Sequence, residues 1–176
     1  MRNHNDVSRP IQGTGLMMVP PPALVLLIAL LVCSQAAAAP NPATVEGRVV
    51  GVHDGDTITV LEGKTQYKIR LDGIDAPELS QAFGRVAKDF ASAFAFGRTA
   101  KVRISGVDRY GRYLGEVFVE GKSLNKELVK AGLAWHYKQY SKDRELSALE
   151  DSARARRVGL WKDARPIPPW EYRKKK

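Results

Sequence analysis

The strongest constraint on the fold is a run of alternating residues between Val45 and Leu71, cut twice by glycine turns. Val45 to His53 is rich in valine, and Thr57-Ile58-Thr59-Val60 and Tyr67-Lys68-Ile69-Arg70-Leu71 alternate polar with apolar side chains. That period of two is the mark of strands with one face buried. Asp54-Gly55 is a hairpin signal between the first two runs, and Glu62-Gly63-Lys64 is the next turn. A chain written this way forms a three-strand meander.

The pattern then changes period. Phe83, Val86, Ala87, Phe90, Ala91 and Phe94 recur at steps of three and four, which predicts a helix with one apolar stripe, and Gly97 is placed to cap its end. Lys101-Val102-Arg103-Ile104 and the stretch from Tyr113 to Val119 are two further strands. Ser123 can cap a short helix that runs to Ala131-Gly132. Asp143 can cap the last helix, whose apolar face is Leu146, Leu149 and Ala153. Val158-Gly159-Leu160-Trp161 leaves that helix and packs back onto it. Pro166 to Pro169 reads as a stiff tail and Arg173 to Lys176 as a solvated basic end. Five strands, with helices after the third and the fifth, predict an α+β, mainly β, chain: a five-stranded OB-fold barrel with three helices packed outside it.

A length of 176 residues fits one such domain. Arg2 and Arg9 precede the apolar run Ala23 to Val32 and the small-residue patch Ala36-Ala37-Ala38-Ala39, which together predict a cleaved signal peptide over 1–39. The apolar run falls short of the roughly 20 residues of a membrane span, and an uncleaved anchor is the alternative. Residues 40–44 read as a linker, 45–165 as the folded domain, and 166–176 as a Pro-rich, basic tail. The single cysteine, Cys33, falls in the leader. The mature domain therefore holds its fold without a disulfide, despite the oxidising destination, secreted or periplasmic, that a leader implies.

Charge narrows the function. With 28 Lys+Arg against 19 Asp+Glu, the chain carries a formal +9 and a pI near 9.8, the footprint of a phosphate-backbone binder. Yet the stretch from His53 to Glu78 gathers Asp54, Asp56, Asp72, Asp75 and Glu78 around Arg70. Acidic groups inside a basic protein point to a metal cation held where a polyanion docks. Asp56 and Asp75, at strand ends that a meander can bring together, would form a hard-oxygen site with a backbone carbonyl and waters, suited to Ca²⁺ or Mg²⁺. The lack of cysteine in the mature domain and the three scattered histidines argue against zinc. Glu78, beyond the stiff Pro77, can orient a water or take its proton. Arg70 and Arg112 can fork onto phosphate oxygens, and a metal with two guanidiniums would neutralise charge developing on a pentacovalent phosphate. Asp72 reads as a turn cap.

In order along the chain stand Asp54-Gly55-Asp56-Thr57, Ile69-Arg70-Leu71, Asp75-Ala76-Pro77-Glu78, Asp108-Arg109-Tyr110-Gly111-Arg112, Leu128-Val129-Lys130-Ala131-Gly132-Leu133-Ala134 and Gly159-Leu160-Trp161. Together they make residues 45 to 161 resemble a staphylococcal-nuclease-type domain. The resemblance implies Ca²⁺ held by Asp56, Asp75 and the backbone carbonyl of Ala76, with Asp54 behind them. It implies Glu78 as general base or water-orienting group, and Arg70 and Arg112 as catalytic arginines. Arg109 and Tyr110 fall where the family contacts a terminal phosphate, and Tyr137 and Tyr140 are both candidates for bracketing the nucleotide. The expected activity is that of an exported, monomeric endonuclease on DNA and RNA, preferring single strands and leaving 3′-phosphate ends. No obligate protein partner is expected, and membrane contact only if the leader is retained. The alternative is a non-catalytic nucleic-acid-binding OB-fold module, against which the intact set of Asp56, Asp75, Glu78, Arg70 and Arg112 argues.

Overall fold

The meander closes on itself through one parallel strand pair. The computed structural model describes residues 43–175. Its strands are β1 (Thr44–Val52), β2 (Thr57–Glu62), β3 (Thr65–Leu71), β4 (Ile74–Asp75), β5 (Thr99–Val107), β6 (Tyr113–Val119), β7 (Lys122–Ser123) and β8 (Trp135–His136). The pairs β1–β2, β2–β3, β1–β5 and β5–β6 are antiparallel. Parallel pairing of β3 with β6, with Ile69 opposite Tyr113 and Leu71 opposite Gly115, completes the five-stranded barrel. Register shifts at Val49/Gly51 and Ile104/Gly106 bend β1 and β5 to make that closure possible. β4 and β8 form a separate two-stranded patch beside it.

Inward positions of the alternating runs fill the barrel. Val45, Val49, Ile58, Val60, Ile69, Val102 and Val117 are all fully buried. Each such aliphatic side chain contributes about 1.5–3 kcal/mol. The helices are α1 (Gly84–Ala95), α2 (Leu124–Lys130), α3 (Arg144–Ala155) and α4 (Pro169–Tyr172), with 3₁₀ turns at Gly159–Lys162 and Arg173–Lys175. Ser123 accepts from the Lys126 N–H and Asp143 from those of Glu145 and Leu146, the caps expected of them. The expected three helices become four, because the segment after Pro168 is helical.

Two further expectations are corrected. The stripe that seats α1 is made of Gly84, Ala87, Ala91 and Ala95; Phe83, Phe90 and Phe94 are only partly buried and Val86 is exposed. Small residues bring this helix close to the barrel, and the phenylalanines pack at its flank. The hairpin expected at Asp54-Gly55 is present, joining β1 to β2 through a four-residue loop, His53 to Asp56, closed by the His53 N–H donating to the Thr57 carbonyl at 2.8 Å. Gly55 is required by crowding, since a Cβ there would stand 2.7 Å from the Cβ atoms of both Ala76 and Ala87. Finally, the tail from Pro166 is docked and Arg173 is not a solvated end, because its guanidinium is bonded to Asp75 and Glu78.

The leader expected over 1–39, with Cys33, and Lys176 lie outside the described residues. Among the described residues no helix is long and apolar enough to cross a membrane. Gly55→Ala is expected to lower stability by about 1–3 kcal/mol, the usual cost of overpacking a filled site. Urea unfolding monitored by circular dichroism checks this; an unchanged midpoint would show that α1 and the Ala76 turn yield without strain.

Candidate active site

Asp56 ties three strands together. Its carbonyl accepts the Leu71 N–H at 2.8 Å, joining the start of β2 to the end of β3. Its carboxylate is 6% exposed; Oδ2 accepts the Ala76 N–H at 2.6 Å and Oδ1 the Thr57 hydroxyl at 3.3 Å. The Ala76 bond draws β4 and its following turn onto β2. Asp75, 1% exposed, is held in β4 by pairing opposite Trp135 of β8.

Arg70 joins the two carboxylates. It leaves β3 opposite Thr57, forms an ion pair with Asp56 Oδ2, and donates from Nη2 to Asp75 Oδ1 at 2.7 Å. Burial disfavours its charge, but Asp56 and Asp75 outweigh that and hold the guanidinium above its ordinary range. Burial pushes the Asp75 carboxyl up, while bonds from Arg173 and the charge of Arg70 pull it back only in part. Asp54 stands behind, its Oδ1 accepting the Asp56 N–H at 3.0 Å. Burial and the Asp56 charge push Asp54 up to about 6. Glu78 lies at the open edge, 37% exposed. Its N–H donates to Gln81 Oε1 at 3.2 Å, and Gly84, which has no room for a Cβ against the Glu78 backbone, lets α1 start directly upon it.

Arg173 completes this cluster from the far end of the chain. Nη2 reaches Asp75 Oδ2 at 2.8 Å, and Nη1 reaches Asp75 Oδ1 at 3.2 Å and Glu78 Oε1 at 2.9 Å. Burial works against its charge, and the bonds to Asp75 and Glu78 prevail and raise its pKa. Sequence reasoning missed it: one arginine in a basic run carries no sign of a distant partner. The tail's Trp170 was the available signal, as a large apolar ring among prolines needs a surface to cover.

Other expected site residues form a second group. Asp108 organises the β5–β6 loop, accepting the N–H groups of Tyr110 and Arg112 at 2.9 and 3.0 Å and the Arg112 Nε at 2.8 Å. Burial would raise its carboxyl, yet these bonds hold it below the usual range. The bonds of Arg112 thus go to Asp108 and not to the Asp56–Asp75 cluster. The β3–β6 register still sets Arg112 two residues before Leu114, the partner of Arg70. Arg109 stacks on the exposed Tyr110 ring at 4.8 Å and donates to its hydroxyl at 2.7 Å. Tyr137 belongs with the carboxylates: its N–H donates to the Gly73 carbonyl at 2.9 Å, and burial, followed by the Asp75 charge, raises its phenol. Tyr140, 70% exposed, meets Tyr137 edge-on at 4.7 Å. Asp72 is structural, accepting from the Gly73 N–H and the Ser105 hydroxyl.

The donor set suits a hard cation. Asp54, Asp56, Asp75 and Glu78 supply four carboxylates against the guanidiniums of Arg70 and Arg173, leaving acid in excess. Asp56 and Asp75 lie within reach of one side chain. Among the described residues no three His, Cys, Asp or Glu side chains converge as a ready-made cage. A cation here would therefore take the two buried carboxylates and complete its shell with carbonyl, water or phosphate oxygens.

These features define an OB-fold barrel, mainly β, with a carboxylate–guanidinium cluster where β2, β3 and β4 meet. The chain belongs to the staphylococcal nuclease family: the family described as Staphylococcal nuclease homologue matches residues 68–163. It is 45% identical over 135 residues to an uncharacterized endonuclease of Escherichia coli, covering 76% of this chain and 88% of the relative. It is 37% identical over 148 residues to a micrococcal nuclease of Shigella flexneri, covering 78% and 85%. It is 43% identical over 111 residues to the staphylococcal-like nuclease CAN1 of Arabidopsis thaliana, covering 63% of this chain and 34% of the plant protein.

Asp54 gives the cluster a pH signature. Its pKa rises from 3.8 to about 6 on folding, so its contribution to stability is present below 3.8 and lost as pH rises through about 6. Cation-free wild type should thus lose stability relative to Asp54→Asn between about pH 4 and about pH 7. Urea titrations of both proteins in chelator measure this, and parallel pH profiles would contradict it.

Proposed function

We propose that this protein is an exported, Ca²⁺-dependent endonuclease that hydrolyses phosphodiester bonds of DNA and RNA and leaves 3′-phosphate ends. The observation that carries the reading is the buried Asp56–Arg70–Asp75 cluster with Glu78 at its open edge, in a chain related to proteins named as nucleases. The product ends, the choice of Ca²⁺ and the preference for single strands rest on the resemblance of the site motifs. Export rests on the leader-like sequence of residues 1–39.

A Ca²⁺ ion bound by Asp56, Asp75 and the Ala76 carbonyl would supply Lewis-acid polarisation of a phosphoryl oxygen. The remaining work falls to the chain. Glu78, half in solvent, is placed to orient a water and accept its proton as the water attacks phosphorus opposite the leaving 5′-oxygen. Arg70 carries a fork of donors able to turn from carboxylate to phosphate. Arg112, held by Asp108, offers a second positive charge to the phosphate as charge builds on its oxygens. Arg109 and Tyr110 lie exposed, where a terminal phosphate can approach, and Tyr137 offers a ring to a base.

Digestion of single-stranded DNA and RNA oligonucleotides, with Ca²⁺ or with chelator, tests this. Chelator is expected to abolish cleavage, and Glu78→Gln to slow it by about 10²–10⁴-fold, the usual share of a general base. Cleavage that persists in chelator would falsify the cation assignment, and an unchanged Glu78→Gln rate would remove Glu78 from the mechanism. A wild type that binds the oligonucleotide without ever cutting it would make the domain a binding module.

A further inference from the structure

The C-terminal segment is built onto the site at several separate points. Trp170 lies flat on Tyr137, with ring centroids 5.0 Å apart and planes at 3°, and edge-on to Trp135 at 5.5 Å. Pro169 is buried. Gln81 donates to the Ile167 carbonyl at 2.6 Å, and the Tyr172 hydroxyl meets Ser80 at 3.1 Å on its carbonyl. These contacts anchor the segment on the turn after Glu78 and on the wall below β4. From that anchorage Arg173 reaches over the carboxylates and forks onto both oxygens of Asp75, with a third bond to Glu78. Its side chain is 42% exposed while Asp75 is 1% exposed. The guanidinium therefore enters from solvent, the side from which an ion would also arrive.

We propose that the C-terminal segment is a built-in guard of the active site, in which Arg173 occupies the charge position of the divalent cation and Trp170 the stacking face of Tyr137. This rests on the reading of Asp56 and Asp75 as cation ligands. An ion that takes Asp75 must displace the Arg173 fork, and a base that stacks on Tyr137 must displace Trp170. Cation, substrate and tail thus compete for the same atoms. Such competition is reciprocal: whatever weakens the tail's hold tightens the ion's, and the ion in turn loosens the tail. The anchorage at Pro169, Gln81 and Ser80 does not involve the carboxylates, so the segment stays near the site when Arg173 swings away.

The test is calorimetric titration of the purified chain with Ca²⁺, comparing wild type, Arg173→Gln and Arg173→Lys, with urea midpoints recorded to establish that each is folded. Arg173→Gln is expected to bind Ca²⁺ on the order of tenfold more tightly, within the usual span of coupling between competing sites. Arg173→Lys, which keeps the charge but not the fork, should fall between wild type and Arg173→Gln. In parallel, a single-stranded oligonucleotide added in chelator, where nothing is cut, should change the tryptophan emission of wild type more than that of Trp170→Phe. Equal Ca²⁺ affinity in wild type and Arg173→Gln, or weaker binding in Arg173→Gln, overturns the guard while leaving the cation site standing. Absence of Ca²⁺ binding in wild type and in Arg173→Gln overturns both. Tighter binding in Arg173→Gln with an unchanged wild-type tryptophan signal limits the guard to the arginine and removes Trp170 from it.

Discussion

The structure turns on one guanidinium. Arg70 leaves β3 and meets two carboxylates that come from the mouth of β2 and from β4. Without it, Asp56 would lose its only ion pair and Asp75 one of its two, at buried positions where an uncompensated charge costs several kcal/mol. With it, the end of the barrel can carry a concentration of acid and remain folded. The arginine does not complete the compensation, since the Asp75 carboxyl is still raised by burial and Asp54 is pushed to about 6. The four carboxylates of Asp54, Asp56, Asp75 and Glu78 still outnumber the guanidiniums of Arg70 and Arg173. Any cation able to reach these carboxylates, whether an ion from solvent or a side chain from the tail, is drawn in by the same field.

How much of this could be read in the residues depends on the range of the interaction. Alternation between Val45 and Leu71 exposes its strands directly, because period two is a local property. Ser123 and Asp143 declare their helices for the same reason: a cap is formed within three residues. The carboxylates and Arg70 also stood out, being close together in the chain and carried on paired strands. Gly55 looked like a turn residue because Asp-Gly is one in most chains; that two alanines from other elements press on it is a fact of packing. The three- and four-residue spacing marks α1 and includes Ala87 and Ala91, but spacing does not tell which apolar side chains meet the barrel; close approach there admits the small ones and leaves the phenylalanines at the flank. Arg173 lies 98 residues from Asp75, and no local pattern links them.

The electrostatics follow one logic across scales. A polyanion is attracted from a distance by the net charge of +9. The Ca²⁺ and the proton acceptor proposed for the reacting centre, however, call for carboxylates, which a wholly basic surface does not supply. The loop before β2 shows how sharply the two regimes meet. His53 is lowered by burial and then by Lys68 and Lys88, as in a positive environment. Asp54, its immediate neighbour, is raised by burial and then by Asp56, as in a negative one. Burial is the larger cause for both groups, and the charges next in weight differ in sign, lysines for His53 and a carboxylate for Asp54. The acidic side chains of the cluster are thus confined to the loop before β2, β4 and the turn after it, within a chain that is otherwise basic.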